Sequence, residues 1–144
     1  MPSRRALRIA VALLALVPVG AGFAGVLLGP AMVAEASSVL PGPALVADTA
    51  SMPLDSHFRY LSGLLLAIGF GFWSCIPGIE RRGARFRLLT GLVFVGGLGR
   101  AVSLETVGMP DLPMVFGLVI ELGVTPALCL WQALDAKRGI SPQS

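Results

Sequence analysis

Four stretches of about twenty mainly apolar residues, set apart by short segments rich in glycine, proline and charge, constrain this chain more than any other feature. They run from about Leu7 to Leu28, Phe58 to Ile76, Leu88 to Val107 and Met114 to Leu134. A helix rising ~1.5 Å per residue needs ~20 residues to cross a ~30 Å hydrocarbon core. In lipid each crossing must satisfy its own backbone, which a helix does and an open sheet does not. A β-barrel would show shorter alternating segments. Composition agrees: 55% of the 144 residues are hydrophobic and 13% are charged, against ~45–50% and ~25% in soluble domains. The glycines have no period of three, which excludes collagen, and two cysteines exclude a disulfide scaffold. The expected fold is all-α, a single-domain four-helix transmembrane bundle.

The connections set its topology. Residues 77–87 carry Pro77, Gly78 and Gly83, and the link between the third and fourth runs carries Gly108, Pro110 and Pro113. Both are short, so the helices they join should be antiparallel neighbours. The loop 29–56 is longer and holds Pro30, Pro41, Pro43 and Pro53. A short interfacial helix from Pro30 to Val39 fits its first part.

Orientation follows from the positive charges. Nine of the eleven basic residues lie on one side: Arg4, Arg5 and Arg8, then Arg81, Arg82, Arg85 and Arg87, then Lys137 and Arg138. The other two connections have none and carry Glu35, Asp48 and Asp111. Basic loops stay cytoplasmic, so both termini and the loop 77–87 are expected inside. The basic loop reads as a topology signal before it reads as an anionic-lipid site. The rival for the first run is a signal peptide, since Ala34-Glu35-Ala36 resembles a cleavage site. The run is longer than the ~7–15 residues of an export core, so retention is expected. The basic clusters sit beside apolar runs and form no soluble patch, which excludes nucleic-acid binding.

Three charges stand out inside the spans, Arg59, Arg100 and Glu121, while Glu105 and His57 lie closer to the outer interface. Arg100 lies seven residues before Val107 and Glu121 seven after Met114. Each is therefore ~10 Å below the same outer face. Arg59 lies ~5 Å below it. A charge in a span costs ~2.5–3.5 kcal/mol on insertion scales and turns toward the bundle interior. The helix faces agree. Arg59, Gly63, Ala67 and Gly71 form a small-residue stripe; Gly96, Arg100 and Ser103 share a face; so do Gly117, Glu121 and Thr125. Arg100 and Glu121 are expected to touch, with Arg59 joining them. The simplest reading is a structural ion pair. The functional reading is a polar pocket in the outer half, where two arginines against one glutamate suit an anionic lipid or small anionic ligand. His57 and Tyr60 at the outer mouth read as interfacial anchors or as pocket rim. Arg holds its proton and the inner halves of the spans lack acids, which argues against a proton path. Cys75 and Cys129 have no His or carboxylate nearby, so they read as buried thiols and not as a metal pair. The Gly25/Gly29 pair suits internal packing or a dimer face.

DSHFRYLSGLLLAIGFGFW from Asp55, IPGIE from Ile76, LVFVGGLGRAVSL from Leu92 and ELGVTPALCLWQ from Glu121 resemble a bacterial four-span membrane family, domain of unknown function 4345. LLGP at Leu27 resembles the end of that family's first span, and the likeness covers nearly the whole chain outside the loop from Pro30 to Pro53. Its motif positions here are Asp55, His57, Arg59, Tyr60, Arg100 and Glu121. The resemblance implies a small bacterial inner-membrane protein and no activity. The expected function is a non-enzymatic membrane component whose pocket, drawn from Asp55, His57, Arg59, Tyr60, Arg100, Ser103 and Glu121, binds a small ligand or partner. The rival is a membrane enzyme or redox accessory acting on a lipid or quinone. No catalytic residue, metal or cofactor is assigned. The partners expected are the lipid bilayer and the pocket's ligand, with a homo-oligomer or a membrane partner protein left open.

Overall fold

The computed structural model describes residues 2–33 and 52–138. Glu35, Asp48, the cleavage-like Ala34-Glu35-Ala36 and most of the expected interfacial helix lie outside the described residues. The elements are α1 (Pro2–Leu14), α2 (Leu16–Leu28), α3 (Met52–Cys75), α4 (Gly83–Val107), α5 (Leu112–Val119), a π-helical turn (Ile120–Val124) and α6 (Thr125–Arg138). Among the described residues there is no strand. Four helical segments are long and apolar enough to cross a membrane: Arg4–Leu28, Met52–Cys75, Gly83–Val107 and Leu112–Lys137.

Two of these segments are composite, and proline is the reason in both. Pro18 has no N–H for the carbonyl of Leu14, so α1 and α2 meet at a turn at Ala15. The Val19 N–H still reaches the Ala15 carbonyl at 3.2 Å, and the rod continues. Pro126 has no N–H for Leu122. The ladder there widens, and the Thr125 N–H bonds the carbonyl of Ile120, five residues back.

Turn chemistry ends the spans. Gly29, Gly78 and Gly108 have φ of 64°, 74° and 111°, a region where a side chain is strained. Pro53 sits in the first turn of α3 and Pro113 in the first turn of α5, where a missing N–H costs no hydrogen bond.

The start of α1, the end of α6 and the 76–82 turn share one end of the bundle, called here the terminal end. Its core joins Leu7, Val11 and Ala15 to Phe72, Cys75, Ile79, Phe86 and Leu128. Phe72 and Phe86 meet edge to face at 5.2 Å. Polar contacts close over this core. Arg4 pairs with Asp135 at 3.3 Å and Arg8 with Glu80 at 3.5 Å. Gln132 donates to the Ile79 carbonyl at 2.8 Å, Trp73 to Ala12 at 3.1 Å, and Arg82 to Ser74. The first span thus supplies three residues of the core, Leu7, Val11 and Ala15.

Away from that end the bundle divides. α2 lies tight on α3: a Cβ at Gly22 would fall 2.6 Å from the Leu66 nitrogen, and one at Gly25 2.2 Å from the Ser62 hydroxyl. Gly25 therefore serves internal packing. The expected stripe on α3 is a contact only in part. Ala67 is exposed and a Cβ at Gly63 would only graze Val26 at 3.9 Å, but one at Gly71 would fall 2.8 Å from Leu89 of α4; the close approach to α2 is at Gly69, off the stripe, against Val19. Much of the described surface of the spans is apolar. Leu88, Val95 and Val102, seven apart on α4, are 65%, 66% and 62% exposed, an arrangement suited to lipid and costly in water.

Candidate functional site

Between the α2–α3 pair and the α4–α5 pair lies a cleft of about 660 Å³. Its α3 wall is Phe58, Leu61, Ser62, Leu65 and Ile68; its far wall is Leu92, Val93, Gly96, Met114, Gly117 and Thr125. It ends on Phe72, Phe86 and Leu128, the top of the terminal-end core. This volume is in the range of small-molecule sites, which are mostly apolar with a few placed polar groups.

The polar groups here are Arg100 and Glu121. Arg100 Nε donates to Glu121 Oε2 at 3.0 Å and Nη2 donates to Oε1 at 3.1 Å. This is the bidentate geometry that suits a guanidinium to a carboxylate. Nη1 donates to the Met114 thioether sulfur at 2.9 Å. The Arg100 side chain is 34% exposed and that of Glu121 15%.

Backbone features hold the pair. Glu121 is the second residue of the π-helical turn, and such turns recur at functional sites. A Cβ at Gly97 would lie 2.9 Å from the Glu121 Cβ, so the missing side chain lets the π turn sit against α4. Gly117 lies beside the pair, with Arg100 Cζ and Glu121 Oε1 each 3.9 Å from where a Cβ would be, ordinary van der Waals contact. Thr125, 3% exposed, and Ser62, 8% exposed, add hydroxyls to the lining.

Arg59 does not join this pair. It donates from Nε to Asp55 Oδ2 at 2.8 Å, and from Nη1 to the carbonyls of Val26 and Leu27 at 2.6 and 3.0 Å. The cause is the end of α2. The turn at Gly29 and Pro30 leaves its last carbonyls without helical donors, and a guanidinium one helix away supplies them. Gly29 makes room, since a Cβ there would fall 2.6 Å from Asp55 Oδ1 and 2.8 Å from Arg59 Nη2. The charge count changes accordingly: each arginine has its own acid. His57, Tyr60 and Ser103 are exposed and bond to none of these groups. The seven sequence-selected residues therefore divide into a pair in the cleft, a clamp on α2 and three surface positions.

Sequence reasoning passed over Met114, Phe58 and Ser62 as site residues. Phe58 and Ser62 alternate with Arg59 around α3, so one turn of helix serves both the cleft and the clamp. It also passed over Gln132 and Asp135, whose signal was there: polar residues one turn apart closing an apolar span. Cys75 and Cys129 are both free thiols. Among the described residues no three His, Cys, Asp or Glu side chains gather as a metal site would require.

No curated protein and no solved structure matches this chain. A family model does, over residues 6–132, which takes in the second and third spans, most of the first and last, the clamp and the cleft pair. The chain belongs to the family described as domain of unknown function DUF4345.

Proposed function

We propose that this is a bacterial inner-membrane protein, with both termini cytoplasmic, that binds a small ligand in the cleft and catalyses no reaction. One observation carries the reading: a deep apolar cleft with a bidentate ion pair built into its wall. A pair serving only to join α4 to the last span could lie anywhere along their contact. This one borders the cleft, beside a π turn, with glycines on both sides. Among the described residues the lining has no His and no Cys, and its one carboxylate is engaged by Arg100. That favours binding over chemistry. The orientation rests on the nine basic residues of the terminal end.

Native mass spectrometry of the detergent-extracted protein tests the binding. A small adduct should be retained by the parent chain and lost in Gly96→Leu. A Cβ at Gly96 meets nothing within 4 Å, and Gly96 lines the cleft, so leucine there fills the space without clashing. An adduct that survives this change would refute the site. For orientation, Ser56→Cys and Lys137→Cys are made without Cys75 and Cys129, both positions being exposed. Ser56→Cys should react with an impermeant thiol reagent on intact cells and Lys137→Cys only after permeabilisation.

A further inference from the structure

Resting on the ligand-cleft reading above, we infer that the occupant is an uncharged amphiphile: a carbonyl oxygen set against Arg100, with a long apolar tail laid toward Phe86. Charge balance is the first argument. Among the described residues Arg100 and Glu121 are the only ionisable ones lining the cleft, and they pair with each other. Arg59 and Asp55 cancel outside it. A carboxylate or phosphate brought in would find its cation already bonded to Glu121, and an uncompensated charge at this depth is costly.

Donor supply is the second argument. A guanidinium carries five N–H groups. Two go to Glu121 and one to the Met114 sulfur, so two remain without an acceptor among the described residues. A thioether is a weak acceptor, and a carbonyl oxygen is a far better one. The cleft wall thus offers spare donors and no spare charge, which is the complement of a neutral oxygen acceptor.

Shape and access are the third. From Arg100 to Phe86 the cleft follows about 21 Å of α4, more than one leaflet of a ~30 Å core, and the deeper part is apolar. Leu61, Leu64, Leu92 and Phe116 line the cleft yet are 45–60% exposed. It therefore opens sideways, toward lipid, and a bilayer-soluble molecule enters without crossing water. Arg100 lies ~10 Å inside the end of its helix. A phospholipid with its ester carbonyl there would carry its phosphate into the apolar layer. Two neutral sources share the required chemistry, a tailed quinone and an uncharged acyl ester.

The full-length protein in detergent is titrated with decylubiquinone, monoolein, oleate and octadecene, following adducts by native mass spectrometry and thermal stability. At least one of the two neutral carbonyl compounds should bind about ten-fold more tightly than oleate or octadecene, ~1.4 kcal/mol. Which of them does so identifies the source. Gly96→Leu should abolish that binding and leave the ligand-free melting temperature unchanged or raised. Oleate binding as tightly as the neutral compounds would overturn the uncharged assignment while leaving the cleft reading intact. Octadecene doing so would overturn the carbonyl contact alone. If no probe binds, or if binding ignores Gly96→Leu, the cleft reading itself falls.

Discussion

The two halves of this bundle solve opposite problems with the same residue types. At the terminal end, arginines and acids reach across helix ends over a closed core, with Leu7, Cys75 and Ile79 wholly buried. At the other end the helix pairs part, and the one ion pair between helices α4 and α5–α6 stands in the wall of a cleft. The difference lies in what surrounds the charges. Over the closed core a salt bridge tightens contacts already made by apolar packing. In the cleft there is little packing to tighten, so the pair orients donors into open space. Ion pairs that look alike in sequence therefore have different consequences, and substitution should separate them.

The largest expected effect tests the closed half. Phe86→Ala removes a ring that is 1% exposed and packed on Phe72, and should cost about 3–5 kcal/mol in denaturation of the solubilised protein. Leu92→Ala, on the cleft wall and 51% exposed, should cost about 0.5 kcal/mol or less. Equal costs would mean that the cleft is as tightly filled as the core, and the contrast between the halves would be gone.

Next comes the pair. Arg100→Ala and Glu121→Ala should each destabilise by about 2–3 kcal/mol, somewhat below the ~3–5 of a fully buried pair because Arg100 is partly exposed. The double variant should cost less than the two added together, since each single change strands a charge and the double strands none. Strict additivity in the double-mutant cycle would show that the two side chains do not act as a unit.

The α2–α3 contact should be sensitive in a different way. Gly22→Ala puts a methyl 2.6 Å from the Leu66 nitrogen and 2.8 Å from the Ser62 carbonyl. Backbone cannot step aside as a side chain can. Overpacking of ~1–3 kcal/mol, offset in part by the better helix propensity of alanine, should leave a net loss of about 1–2 kcal/mol in melting experiments. Gly96→Ala, with no atom within 4 Å of the added Cβ, should be neutral or stabilising.

The smallest effect is a pH dependence at the terminal end. The Glu80 carboxyl is held below its ordinary value of 4.5, first by its own backbone hydrogen bond and then by Arg8, with Arg4 adding to it, against an opposing contribution from burial. A carboxyl lowered in the folded state stabilises fully above its unfolded titration and loses this as the pH falls through the lowered value. The loss should begin below about pH 4.5 and stay under about 1 kcal/mol for so exposed a pair. Glu80→Gln should remove that share of the acid dependence and lower stability at neutral pH by the same amount, under about 1 kcal/mol.

Sequence alone determined the class and the count of spans, because lipid demands long self-satisfied apolar helices and leaves nothing else to build. It also determined that Arg100 and Glu121 would lie level and face each other. A tight turn at Gly108 and Pro110 makes their helices antiparallel, and distance from that turn is a matter of counting residues. Arg59 shows where counting stops. A long flexible side chain goes to whichever acceptors lack partners. Those were the carbonyls at the end of α2, freed by Gly29 and Pro30 on a segment more than thirty residues away in sequence. The π turn was half visible. Pro126 announced a break in the ladder, but whether a broken helix bends or widens depends on what packs beside it, here the bare backbone of Gly97. The cleft was not visible at all. It exists because α2 packs on α3 through Gly22, Gly25 and Gly69, and α4 on the π turn through Gly97. Only the assembled bundle decides how far apart two such close pairs are held.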